Sequence, residues 1–390
     1  VITMKKKIWK KLMSVVLCGA MVFSMAGCGN TGGTNSSSEA DSSAKTSSEK
    51  TDSKKTTVGF IFVGAKDDYG YNQAAYNASV AVEKHFGDQI QVLRQENVPE
   101  TEEASRALEQ MIQKGATVLF PTSYGQLEPA MDVAKKYPDV TFFHQGGLKT
   151  MDNLGTYFGT IWQSFYLCGI AAGANTKSNK LGFVASFPIP QVLANINAFE
   201  LGAKSVNPDA TTSVIFTGSW SDPALQTSSA NTLIDKGIDV IAQHQDSTKT
   251  IVELCEQKGV YCVGDHADAS ELAPNTWLTG AVWHWDDLFI DMVQTAIDGK
   301  FDGSKYDGKY RGGLKEGIVD IAPFGKSVSE DTQKKIEDEK DKMINDDFNP
   351  FSDEIKDQKG NIVCKKGQTL TIDEIESMDY LVDGVIGSTK

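Results

Sequence analysis

The sequence predicts an α/β fold built from two doubly wound parallel sheets, each covered by helices on both faces. Two observations carry this expectation. Short apolar runs alternate with segments of helical periodicity, the pattern of parallel strands joined by crossover helices. The alternation restarts near residue 178, and 390 residues suit two domains of ordinary size better than one.

Val58–Val63 reads as the first buried strand, followed by helical spacing from Asn72 to Phe86 and a strand at Gln89–Leu93. Ala104, Leu108, Met111 and Ile112 fall on one helical face. Strands at 117–120 and 140–143 flank a helix at 127–136, and an apolar, Gly/Ala-rich helix spans 164–174. In the second half, 181–185, 212–216, 240–242, 260–263 and 277–281 read as strands. Val192, Ile196, Phe199 and Ala203 line a helix between the first two of these. Asp222 before Pro223 is an N-cap followed by proline at the first helical position, opening a helix to Asp235. Helices follow at 247–257 and 286–297. Beyond residue 300 the pattern weakens to a charged helix at 328–344 and a hairpin at 361–370.

The N-terminal segment sets the compartment. Lys5, Lys6, Lys7, Lys10 and Lys11 precede an apolar stretch, Leu12 to Ala26, that is short for a membrane span. Met25-Ala26-Gly27-Cys28 ends it with small residues directly before a cysteine. This resembles a bacterial lipoprotein signal, which implies cleavage before Cys28 and a lipid on that residue. The alternative, an uncleaved anchor helix, lacks a charged flank after the apolar run. Residues 29–57 are Ser, Thr, Gly, Lys and Glu with almost nothing apolar, and such a segment is expected to act as a flexible tether.

A net charge of −14 becomes −19 once five lysines and no acid leave with residues 1–27. A surface that acidic repels phosphate backbones, so nucleic-acid binding is not expected, and a neutral or weakly cationic ligand is. Cys168, Cys255, Cys262 and Cys364 are scattered without C-x-x-C spacing, which argues against a zinc cage. They are expected to be buried thiols, with Cys255 and Cys262 the pair that a disulfide would join.

Ligands of open α/β sheets bind beyond the carboxyl ends of the strands. There the loops carry Tyr71, Tyr124, Phe187, Trp220 and Trp283, aromatics on both domains that suit a flat ligand stacked between them. Asn72, Ser123, Asp246 and His266 are the polar groups placed to read its edge. His244, Asp246, His266 and Asp268 also form a metal-ligand pattern, but the same groups hydrogen-bond organic ligands, and no metal or cofactor is assigned. Enzyme motifs are missing: there is no G-x-S-x-G, no H-E-x-x-H, and no G-x-G-x-x-G after the first strand. Asp67 and Asp68 read either as an acid/base pair or, as loop carboxylates commonly are, as solvated or capping groups.

Several segments resemble the basic membrane protein family of solute-binding lipoproteins. They are Val118-Leu-Phe-Pro-Thr-Ser-Tyr-Gly125, Lys136-Tyr-Pro-Asp-Val-Thr-Phe142, Gly182-Phe-Val-Ala-Ser-Phe-Pro-Ile-Pro190, Asn195-Ile-Asn-Ala-Phe-Glu-Leu-Gly202, Gly218-Ser-Trp-Ser-Asp-Pro223 and Gln243-His-Gln-Asp-Ser247. Asn349-Pro-Phe351 and Met378-Asp-Tyr380 add to them, so the resemblance spans roughly 58–388. It implies a type I periplasmic-binding-protein-like fold, two Rossmann-like lobes on a hinge, serving the permease of an ABC importer and binding a purine base or nucleoside. The implied organisation is a signal at 1–27, a tether at 28–57, a first lobe of 58–177 with part of 282–312, and a second lobe of 178–281 with most of 313–390.

In the family's nucleoside-binding branch the first loop reads Asp-x-Ser-Phe-Asn. Asp68-Tyr-Gly-Tyr71-Asn72 matches it here, so the resemblance gives Tyr71 the stacking role, Asn72 the edge contact, and Phe187 the opposing face. The branch's ribose-binding aspartate and lysine align with His266 and Trp283, and a shift of one residue would put Asp265 in the first place. Loss of both charged contacts implies a free nucleobase as ligand. The expected protein is a monomeric, lipid-anchored, extracytoplasmic receptor without catalytic activity. Its rivals are a purine nucleoside receptor, a sugar or autoinducer receptor, an exported nucleoside or glycoside hydrolase, and an adhesin with a vestigial pocket.

Overall fold

A computed structural model describes residues 55–390; the leader, Cys28 and most of the tether lie outside the described residues. Numbered in chain order, the strands of the first half are β1 (Thr56–Ile61), β2 (Ile90–Gln95), β3 (Ala116–Pro121), β4 (Thr141–Gln145) and β5 (Leu154–Gly159). With β11 (Lys309–Gly312) they form a parallel six-stranded sheet, ordered β11-β5-β4-β3-β1-β2. The second sheet contains β6 (Lys180–Ala185), β7 (Thr211–Phe216), β8 (Val240–His244), β9 (Tyr261–His266), β10 (Trp277–Trp283), β12 (Val319–Ile321) and β15 (Val385–Ile386). Its order is β12-β10-β9-β8-β6-β7-β15, with only β12 antiparallel.

Helices α1 (Tyr71–Phe86), α2 (Glu102–Gln113) and α3 (Leu127–Lys136) cover the first sheet, and α4 (Trp162–Asn175), α5 (Pro190–Val206), α6 (Pro223–Asp235) and α7 (Lys249–Lys258) cover the second. The expected cap forms: the Asp222 carboxylate accepts from the amides of Ala224 and Leu225, with Pro223 in the first turn. Asp68 does the same for α1, accepting from the amides of Gly70, Asn72 and Gln73, which is the capping role of its two readings.

The chain passes between the lobes three times: from β5 into α4, from β10 into α8 (Asp286–Ile297), and from β11 into β12. Helix α8 returns to pack on α1 and carries Phe289 into the first core, 5.0 Å from the ring of Phe120, which stacks on Phe60 at 4.6 Å. The first crossing corrects the boundary expected at residue 177. Helix α4 packs on α5 and β10, so the second lobe begins just after β5. Glycines make that packing close. A Cβ on Gly169 would collide with the carbonyl oxygen of Phe199, and one on Gly202 with that of Tyr166.

After β12 the chain stays with the second lobe. Helix α9 (Glu330–Ile344), capped by Ser329, packs on α4, and β15 extends the sheet beside β7. The hairpin expected at 361–370 is instead the pair β13 (Ile355–Lys356) and β14 (Ile362–Cys364), followed by α10 (Ile372–Ile375). All four described cysteines are buried free thiols, Cys255 and Cys262 among them. Among the described residues no helix is long and apolar enough to cross a membrane.

Candidate functional site

The carboxyl ends of both sheets face one cleft. Tyr71, Ser123, Tyr124 and Phe158 of the first lobe meet Gln191, Trp220, His244 and Asp246 of the second around a cavity of about 20 Å3. That volume is about one water's worth, so a ring ligand enters only with the lobes parted. Five of the nine residues singled out in the sequence therefore line one cavity: Tyr71, Ser123, Tyr124, Trp220 and Asp246.

The other four sit differently. Phe187 is not on the cavity wall; its ring packs against that of Trp220, 5.1 Å away and nearly edge-on. Asn72 is buried with both ends of its amide engaged: Oδ1 accepts from the Gly64 amide at 2.9 Å and Nδ2 donates to Asp68 at 2.8 Å. This placement gives it the loop rather than the cavity wall. His266 and Trp283 bond each other, the indole Nε1 donating to His266 Nδ1 at 2.8 Å, and face a broader groove with Asp268 and Asp286.

A line of rings connects these groups. His244 lies 6.2 Å from Trp220 and 5.1 Å from His266; Trp283 lies nearly parallel to His266 at 6.2 Å and stacks on Trp285 at 4.5 Å. Tyr71 meets His266 edge-on at 5.1 Å, which joins the first lobe to this line. His266 holds φ at +69°, a left-handed backbone that costs a bulky residue energy and marks a position fixed by its surroundings.

Burial disfavours charge on the ionisable groups of the cleft. Burial pushes the His244 imidazole down to about 3, so it stays uncharged at neutral pH. Burial, with repulsion from Asp68 and Glu100, holds the Asp246 carboxyl well above the usual carboxylate range.

His244 Nδ1, Asp265 Oδ2 and His266 Nε2 lie within 4.8 Å of one another, a spacing that invites a metal. The hydrogen bonds argue against one. An indole N–H can only donate, so His266 Nδ1 is the acceptor and Nε2 carries the ring proton, leaving no lone pair for a cation. Asp265, which one-residue slippage of the alignment brings into play, is buried beside both imidazoles with neither oxygen in an aligned hydrogen bond.

Three wall residues escaped the sequence-derived site. Phe158 belongs to β5, a strand whose two glycines obscure its pattern, and Gln191 sits in the first turn of α5. His244 satisfies the strand-end rule and the metal-ligand pattern but is not among the nine.

Contacts across the cleft close the lobes. The Tyr71 amide donates to the Asp246 carbonyl at 3.0 Å, and Thr248 Oγ1 donates to the Tyr69 carbonyl at 2.6 Å. Tyr69 Oη donates to Glu271 at 2.8 Å. Two lobes closing on an aromatic cleft define a solute-binding protein.

The profile of the Bmp family, described as ABC transporter substrate-binding protein PnrA-like, matches residues 55–349. The chain belongs to this family of extracytoplasmic receptors, whose members bind solutes and are not enzymes. It is 35% identical to a purine-binding protein of Brucella abortus, over 84% of this chain and 92% of the relative. It is 32% identical, over 75% of this chain and 73% of the relative, to a Haloferax volcanii protein provisionally named as an ABC transporter glucose-binding protein. The solved solute-binding protein of an ABC transporter from Aeropyrum pernix shares the fold, with a TM-score of 0.65 at 19% identity over 77% of this chain and 93% of that one.

Proposed function

We propose that this substrate-binding protein captures a purine base between its lobes and delivers it to the permease of an ABC importer. The observation that carries this reading is the wall of the cleft cavity, which Tyr71 and Tyr124 of one lobe and Trp220 of the other share with hydrogen-bonding groups. Base–aromatic stacking with edge recognition by Ser123, Gln191 and Asp246 needs that arrangement. The name of the Brucella abortus relative supports it. The lobes part to admit the base, and closure restores the contacts between Tyr71 and Asp246. His266 and Trp283, locked together, leave the charged ribose contacts of nucleoside receptors unfilled, which favours the free base. Cys28 carries the lipid that holds the receptor at the outer face of the cell membrane, where it acts as a monomer.

Thermal denaturation with adenine, guanine, hypoxanthine, adenosine, ribose and glucose tests the reading. A ligand at a hundredfold excess over its dissociation constant stabilises the protein by about 2.7 kcal/mol. A shift with a purine and none with ribose or glucose is expected. A shift with glucose alone would transfer the assignment to the ligand named for the Haloferax volcanii relative.

A further inference from the structure

A second cavity of about 50 Å3 adjoins the cleft, and Tyr124, Phe158 and Gln191 form part of both walls. Its remaining surface is mainly apolar, from Ile161 and Trp162 at the hinge, Ile189 and Ala194 at the start of α5, and Ile375 of α10. The strongly charged groups at its edge are already paired: Arg311 bonds Glu376 and donates to the Gly147 carbonyl at 2.8 Å. Two buried polar atoms on the wall have no hydrogen-bond partner: Glu376 Oε2, 3.5 Å from the Lys309 ammonium, and Asn195 Oδ1. Asn195 is 1% exposed, its Nδ2 is engaged with His244 Nδ1 at 2.8 Å, and its Oδ1 accepts from nothing.

We propose that this annex receives a short alkyl group carried on the exocyclic amine of the base, and that Asn195 Oδ1 accepts that amine's remaining proton. The inference rests on the purine reading above and narrows it to N-alkylated aminopurines. At about 10–15 Å3 of cavity for each group the size of a water, the annex holds roughly three to five non-hydrogen atoms, the size of a propyl or butyl chain. Apolar walls reward such a chain, because each methylene moved out of water raises affinity roughly fourfold. A sugar would bring several hydroxyls to a wall that offers them two open acceptors, Asn195 Oδ1 and the ion-paired Glu376 Oε2.

Calorimetry with adenine, N6-methyladenine and N6-propyladenine tests the annex, on the unmodified protein and on Ala194→Leu, which fills it. The expected result is propyladenine bound at least about tenfold tighter than adenine, methyladenine between them, and the advantage lost in Ala194→Leu while adenine still binds. The smaller Ala194→Val change should remove part of the advantage, and adenine binding reports that either variant is folded. Adenine bound as tightly as propyladenine by the unmodified protein would overturn the annex and leave the purine reading standing. An undiminished advantage in a folded Ala194→Leu variant would overturn it too. Binding of no purine at all would overturn the purine reading, and the annex with it.

Discussion

The backbone amide of Tyr71 in the first lobe donates a 3.0 Å hydrogen bond to the backbone carbonyl of Asp246 in the second. The residues that face the cleft cavity thus also form the contact that shuts it, so ligand capture and closure share one piece of structure. Gly70 makes the approach possible, since a Cβ there would collide with the same carbonyl oxygen.

Gly70→Ala should therefore hold the lobes apart. An alanine methyl at Gly70 would meet that oxygen directly, so the substitution opposes closure at its central contact. Ligand affinity should fall at least about tenfold, roughly 1.4 kcal/mol, with circular dichroism unchanged. Small-angle scattering should show no compaction on adding ligand.

Tyr71→Ala and Trp220→Ala should each weaken binding by about 1–3 kcal/mol, the usual worth of one base–aromatic stack. Phe187→Ala should cost less, because Phe187 packs against Trp220 and does not line the cavity. Equal losses at all three positions, measured by calorimetry, would place Phe187 against the ligand itself.

Base and nucleoside should be separated by at least about tenfold in favour of the base. Each charge-assisted contact missing from the sugar is worth roughly 1.5–3 kcal/mol. The double change His266→Asp with Trp283→Lys breaks the 2.8 Å bond between the two rings and should narrow or reverse the preference. Nucleosides bound as tightly as bases by the unmodified protein would refute base selectivity.

Stability should fall as pH rises from about 4.5 to about 7. Burial raises the Glu200 carboxyl from its ordinary 4.5 to about 7, against opposing help from Thr212, whose hydroxyl donates at 2.6 Å, and from Lys204. Below 4.5 the folded and unfolded chains both hold the proton. Between the two values only the folded chain does, so the stability present at low pH is lost as pH climbs, by about 3 kcal/mol. Glu200→Gln should flatten this slope in denaturation midpoints measured across the range.

Cys28→Ser should release the protein from membranes or block its processing after Gly27. Stable attachment takes two acyl chains where one is marginal, so loss of the thiol should be decisive in a fractionation assay. An unchanged membrane fraction would point to an uncleaved anchor.

Most of the architecture was legible because buried parallel strands are short apolar runs, and the central ones here have that form. Strand β5 was not. Gly155 and Gly159 dilute its pattern, yet both are required by neighbours: a Cβ on Gly155 would strike the Tyr306 carbonyl, and one on Gly159 the ring of Trp283. Missing β5 also hid Phe158. The strand-end rule found Tyr71, Ser123, Tyr124, Trp220 and Asp246, since topology alone fixes which ends face the cleft. It gave no information about hydrogen bonds within a loop, so it could not show that Asn72 is occupied by Gly64 and Asp68. The contacts between lobes were equally hidden, because they depend on how far the cleft closes and not on any local pattern.

The three crossings between the lobes also dictate an order of assembly. The first sheet ends on β11 at residues 309–312, and its core needs Phe289 from α8, although its other strands are complete by residue 159. A ribosome must therefore make almost the whole second sheet before the first can be finished. Neither lobe can be released from the other by a single cut, and a chain truncated anywhere between residues 178 and 281 leaves both sheets with an open edge. The first lobe therefore completes its sheet and its core only when synthesis is nearly over.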